Sequence, residues 1–172
     1  MEKAVRTFGI AMALALLLLG TNAVRAAGVT APRFDLPGLD GKRYTERNLI
    51  GRPTLMVFWA SWCPVCQVEL PKLHDMFEEM KGRGLRVLAI GFDDEEENIR
   101  RYVSTHAQIF DFPSLYDAKD SVAKRFGVFG TPTIYLINGH GEIVYVTWLI
   151  DDPALKGKLE SLMDAREELQ AG

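Results

Sequence analysis

The chain has 172 residues, a net charge of −3 at pH 7, near-even hydrophobic content at 48%, and only two cysteines. The acidic balance argues against nucleic acid as a partner, and two cysteines cannot make a disulfide framework. A chain of this length can bury a core without covalent staples.

Residues 1–26 have the layout of an export signal. Lys3 and Arg6 precede an uncharged run from Thr7 to Val24, and Val24-Arg25-Ala26 puts small or apolar residues where a signal peptidase reads. The run is just long enough to span a bilayer, so an uncleaved anchor is the alternative. Either way the expectation is delivery across the cytoplasmic membrane, as a periplasmic or membrane-tethered protein facing outside. Cleavage after Ala26 removes Lys3, Arg6, Arg25 and Glu2, leaving the remainder more acidic than the whole chain. Residues 27–172 are expected to form one domain, and a monomer.

Ala27–Gly51 reads as an irregular entry segment, with short strands around Arg33–Leu36 and Lys42–Tyr44 separated by the turn Leu39-Asp40-Gly41-Lys42. Thr54–Ala60 (TLMVFWA) is a continuous apolar run of strand length, the pattern of a central strand buried on both faces. Pro64 opens a helix whose inner face carries Cys66, Leu70, Leu73, Phe77 and Met80; Pro71 predicts a kink, and Gly82 and Gly84 an end. Leu85–Phe92 is a second buried strand. Asp94 and Glu97 have capping-box spacing before a second helix, with Ile99, Tyr102, Val103 and His106 facing inward. Strand, helix, strand, helix implies a parallel βαβ unit.

A short strand (Ser114–Tyr116) and a short helix (Ser121–Phe126) follow. Thr133–Ile137 and Glu142–Thr147 alternate and are joined by Asn138-Gly139-His140-Gly141, the signature of a β-hairpin. A last helix is predicted from Pro153 to Leu169, with Leu155, Leu159, Leu162, Arg166 and Leu169 along its inner edge.

The two cysteines, Cys63 and Cys66, lie in FWASWCPVCQVELP, where a buried strand gives way to a helix. Backbone N–H groups and the helix dipole point at Cys63, and both favour a thiolate, the form that attacks disulfides. Cys66 is one turn later on the same helix, within reach of Cys63. A bridge across a two-residue gap removes little loop entropy, so a redox role explains the pair better than a structural one. Pro64 suits a first helical position and stiffens the turn. Trp59 and Trp62 are expected to shield Cys66 from water and keep its pKa high. Core cysteines and a metal site are the alternatives. Closed zinc sites want four ligands, and His74, His106 and His140 have no paired spacing; a copper(I) site made from two thiolates needs no histidine. In Gly130-Thr131-Pro132-Thr133 the proline opens a strand, and either a cis bond or a trans proline at a strand edge fits the residues.

FWASWCPVC…ELP, GVFGTPT and the βαβ…ββα order resemble the thioredoxin superfamily over roughly Ala31 to Leu162. The entry segment and the insert around Asp93–Tyr116 are similar to its TlpA/ResA branch of exported thiol–disulfide oxidoreductases. The resemblance implies a central mixed sheet flanked by helices, with an N-terminal β extension and a βα-type insert. It implies Cys63 as nucleophile and Cys66 as resolving thiol. It also implies a cis Thr131–Pro132 bond facing them, with Trp62, Pro64 and Thr131 contacting substrate and no cofactor. The acidic residue that cytosolic-type members carry six positions before the first cysteine is Val57 here. ResA-like members use an acid just after the strand following the first helix, where Asp94 aligns beside Asp93; helix capping is the other role for Asp94. The Pro-Val dipeptide between the cysteines departs from the many relatives with proline second, which leaves the direction of electron flow open. Protein disulfides are the implied substrates, apocytochrome c or copper-site cysteines among them, with a membrane electron donor of the CcdA/DsbD kind. Copper(I) carriage by the same cysteines is the alternative. A thiol peroxidase is disfavoured, because the position three before Cys63 is Ala60 rather than threonine.

Overall fold

The computed structural model describes residues 28–171, so the leader assigned to residues 1–26 lies outside the described residues. Eight strands form a six-stranded sheet and a separate two-stranded ribbon. The strands are β1 (Val29–Thr30), β2 (Asp35–Pro37), β3 (Arg43–Thr45), β4 (Thr54–Trp59), β5 (Arg86–Gly91), β6 (Ser114–Tyr116), β7 (Thr133–Ile137) and β8 (Glu142–Thr147). The helices are α1 (Pro64–Met80), α2 (Glu96–Thr105), α3 (Ser121–Phe126) and α4 (Pro153–Ala171).

The main sheet runs β1-β8-β7-β4-β5-β6. β4, β5 and β6 are parallel, while β7, β8 and β1 are each antiparallel to their neighbours. The sheet is therefore mixed, as expected. The β2–β3 ribbon is the N-terminal extension, and α2 with β6 forms the insert that widens the sheet.

The apolar run of β4 is explained by two cores. Leu55, Val57 and Trp59 point to one side, among residues of α1, α2 and α4. Met56 and Phe58 point to the other, among α3 and the extension's Phe34, Leu36 and Tyr44. Successive side chains of a strand alternate faces, so a strand covered on both sides must be apolar at every position.

The structure corrects several sequence expectations. β1 lies inside the segment expected to be irregular; its two residues pair with Ile143 and Glu142. The helix that opens at Pro64 runs to Met80 with Pro71 inside it. Pro71 lies on the exposed face, where water can satisfy the carbonyl deprived of its donor. α2 begins at Glu96 with no side-chain cap, so the Asp94–Glu97 capping box does not form. On α4 the inner edge is Leu155, Leu159 and Met163, and Leu169 is 85% exposed. Arg166 does snorkel: its Nη1 donates to the Arg83 carbonyl at 2.7 Å.

Gly91 ends β5, and a Cβ there would lie 2.8 Å from both Cδ1 and Cγ1 of Ile99, a fully buried residue of α2. Gly91→Ala is expected to cost about 1–3 kcal/mol by overpacking. Urea unfolding should show a lower midpoint with an unchanged slope.

Candidate active site

β4 ends at Trp59, and a short turn delivers Cys63 to the start of α1. Cys63 is the N-cap residue of that helix, and its Sγ accepts the backbone N–H of Cys66 at 3.2 Å. Pro64 occupies the first turn, where a missing N–H costs nothing.

β7 starts at the same end of the sheet, because it runs antiparallel to β4. The loop before it therefore arrives opposite the cysteines. Thr131–Pro132 is a cis peptide, the conformation the resemblance implied. The Cys63 thiol donates to the Thr131 carbonyl at 3.4 Å, and Cys66 Sγ lies 3.0 Å from Thr131 Oγ1. One threonine thus contacts both sulfurs, one through its backbone and the other through its hydroxyl.

Both cysteines are free, and 3% and 1% exposed for Cys63 and Cys66. Their surroundings differ. Cys63 sits among polar partners at the helix mouth. Cys66 lines a small enclosed apolar cavity with Val57, Trp59, Leu70, Leu73, Pro132, Ile134 and Ile150. Burial pushes the Cys66 thiol up to about 12, the hydrogen bond with Cys63 adds to the rise, and the Thr131 hydroxyl opposes it. Trp59 supplies part of that apolar wall, as expected. Trp62 does not: it is 54% exposed, and its indole N–H donates to the Asp93 carbonyl at 2.7 Å.

Asp94 is tied to the turn before Cys63 and to the start of α2. One carboxylate oxygen accepts Ser61 N at 2.8 Å and Ser61 Oγ at 2.6 Å; the other accepts Glu95 N and the Asn98 amide. Burial alone would raise this carboxyl, but the Ser61 and Asn98 donors outweigh it and hold it below the ordinary carboxylate value. Asp94 fastens the turn leading to Cys63.

The carboxylate that does line the Cys66 cavity is Glu69. It is buried, with Oε1 accepting Lys72 Nζ at 2.8 Å and Oε2 accepting the Ile150 backbone N–H at 2.7 Å. Sequence reasoning passed over it. Its position three residues after Cys66 and four before Leu73 places it on the buried face of α1, a signal that was available.

Among the described residues no histidine hydrogen-bonds either sulfur. His106 stacks on Tyr102 with ring centroids 4.1 Å apart. His74 bonds Asp111 at 3.2 Å, and with Glu78 these make the one close group of metal-type side chains found among the described residues. Lys81 contacts both carboxylates of that group and already supplies a positive charge there.

A paired dithiol at a helix N-terminus, facing a cis-proline loop across a mixed sheet, defines a thioredoxin-fold thiol–disulfide oxidoreductase. The model of the AhpC/TSA family matches residues 27–146, and the chain belongs to that family. Over 120 residues it is 33% identical to the thiol-disulfide oxidoreductase ResA of Halalkalibacterium halodurans, covering 70% of this chain and 67% of the relative. The ResA of Geobacillus thermodenitrificans is 28% identical over 138 residues, covering 80% of this chain and 78% of the relative. Among solved structures, a Chlorobium tepidum protein assigned as the thiol:disulfide interchange protein DsbE superposes with a TM-score of 0.67 at 30% identity, over 81% of this chain and 96% of that one. The enzyme class is thus a thiol–disulfide oxidoreductase of ResA/DsbE type.

The raised Cys66 pKa carries a stability consequence. The unfolded thiol ionises near 9.0 and the folded one near 12, so in between the unfolded chain sheds a proton that the folded one keeps. This contribution is complete below pH 9 and is lost as pH rises towards 12. Reduced wild-type protein should lose urea stability over that window faster than Cys66→Ala, compared in parallel titrations.

Proposed function

We propose that this protein reduces selected protein disulfides on the outer side of the cytoplasmic membrane. The observation that carries this reading is the asymmetry of the two sulfurs: Cys63 is held at the helix mouth by an amide and a carbonyl, and Cys66 is stored behind it in an apolar cavity. In the first step the Cys63 thiolate attacks one sulfur of a substrate disulfide. The substrate S–S bond breaks, its other sulfur leaves as a thiolate and takes a proton, and a mixed disulfide forms on Cys63. Cys66 then loses its proton, attacks Cys63 Sγ and expels the second substrate thiolate. Two electrons have passed to the substrate, and the protein holds a Cys63–Cys66 disulfide.

Pro132 and Thr131 receive the substrate backbone beside the sulfurs, in the manner of an added strand, with Trp62 and Pro64 on the near side. Glu69, rather than Asp94, takes the Cys66 proton; Asp94 positions the turn at Ser61. Apocytochrome c and copper-site cysteines are the substrates this reading favours, by likeness to ResA, and a membrane dithiol donor of the CcdA/DsbD kind returns the electrons. Residues 1–26 act as export signal or anchor. Among the described residues no helix is long and apolar enough to cross a membrane.

Cys66→Ala should freeze the mixed disulfide on Cys63 and let the captured partner be identified by mass spectrometry after non-reducing separation. Wild-type protein should also reduce a model protein disulfide, with a reduction potential below that of its substrates. Stoichiometric copper(I) binding with no exchange activity would replace this reading with copper carriage.

Glu69→Gln should slow the second step selectively. In single-turnover experiments mixed-disulfide formation should proceed at the wild-type rate while its resolution falls by about 10²-fold, the usual worth of a positioned base.

A further inference from the structure

At the β6 edge of the main sheet, the turn between β2 and β3 crosses the segment that leads from α2 into β6. Leu39 N donates to the Ser114 carbonyl at 2.8 Å, and Gly38 bridges to Leu115. Beside this crossing lies a cleft of about 490 Å³, lined by Leu39, Tyr44, Val103, Phe110, Phe112 and Ser114 among others. Small-molecule sites run from roughly 300 to 1,000 Å³. None of the residues lining this cleft lines the Cys66 cavity, so disulfide exchange leaves it unused.

One observation sets the cleft apart from a gap left by packing. Ser114 is only 7% exposed, and its Oγ has no hydrogen-bond partner among the described residues. Buried polar atoms are normally paired, because an unpaired one has given up water for nothing. Alanine would line the same wall without that cost.

The aromatic walls are held in place by their own neighbours. Tyr44 packs over Gly38, where a Cβ would lie 2.6 Å from Tyr44 Cε2. The Tyr44 hydroxyl donates to Asp40 Oδ2 at 2.9 Å, and Asp40 Oδ1 accepts the Lys42 backbone N–H at 3.1 Å. Phe110 and Phe112 come from the segment before β6 and pack on each other with centroids 5.8 Å apart. Walls fixed in advance cost an entering ligand little ordering. The charged residues of the lining are balanced: Asp40 faces Lys42 Nζ at 3.5 Å, and Asp111 faces Lys81 Nζ at 3.7 Å. Neither an anion nor a cation is favoured.

We infer that this cleft binds an uncharged aromatic molecule bearing a hydroxyl or carbonyl oxygen. The ring lies among Tyr44, Phe110 and Phe112, and its oxygen pairs with Ser114 Oγ, which can both donate and accept. This site is separate from the dithiol and adds a ligand to the exchange function proposed above.

Equilibrium dialysis of the reduced full-length protein against 2-naphthol and against naphthalene, the same ring system without the oxygen, tests the assignment. Wild type should bind one 2-naphthol per chain, roughly tenfold more tightly than naphthalene, as one added hydrogen bond allows. Ser114→Ala should bind 2-naphthol about as weakly as wild type binds naphthalene, and should leave naphthalene binding unchanged. Val103 is half-buried at the cleft, and Val103→Trp should fill the space and abolish binding of both. Urea unfolding checks that each variant is folded; if Val103→Trp is not, the two probes with Ser114→Ala still decide. The inference is overturned by an absence of saturable 2-naphthol binding, by equal affinity for the two probes, or by 2-naphthol binding that Ser114→Ala leaves intact. Binding that survives in folded Val103→Trp overturns it too, since the aromatic molecule then sits elsewhere.

Discussion

The contact between the mouth of α1 and the Thr131–Pro132 turn is what the rest of this site depends on. It joins residues nearly seventy positions apart, and it exists because β4 and β7 are antiparallel neighbours at the centre of the sheet. The end of one strand and the start of the other must then lie side by side. Thr131 uses that proximity twice, its carbonyl meeting Cys63 and its hydroxyl meeting Cys66. A sulfur pair held this way has no freedom to drift apart between the two steps of an exchange, and such positioning is where catalytic advantage comes from.

The same arrangement makes two identical side chains chemically unequal. Cys63 has donors and acceptors of the backbone around it, whereas Cys66 faces Val57, Trp59, Leu70 and Ile134. A charged sulfur in that apolar cavity is costly, so Cys66 keeps its proton until a mixed disulfide gives it something to attack. The opposite core, packed with Phe34, Phe58, Phe126 and Tyr135, does no chemistry and serves to hold β4 and β7 in register.

Carboxylates show how tertiary context reassigns a residue. Asp94 carries a strong local signal, an acid three residues before another acid at a helix start, and yet one of its oxygens turns to Ser61, thirty-three positions away. Glu69 carries a weak local signal, a charge on an amphipathic helix, and yet it is buried between α1 and the loop at Ile150. Neither outcome follows from spacing, because each depends on which loop the sheet brings alongside. The leucine edge of α4 shifted for a related reason: the period places a stripe on a helix, but Met163 and not Leu162 is turned fully inward once the helix docks.

By itself the sequence determined the elements and their chemistry. The apolar run of β4, the hairpin at residues 133–147, the short β6 and α3, and the dithiol at a helix start were all legible, because hydrophobic period and turn residues act locally. Two-residue β1 was invisible, since pairing with β8 and not its own composition makes it a strand. Only the tertiary structure decided that Trp62 faces outward, that Asp94 fastens a turn and that Glu69 shares the cavity with a sulfur. Each of these is set by neighbours distant in the chain, and a side chain's solvation and hydrogen-bond partners are properties of the packed whole rather than of the segment that carries it.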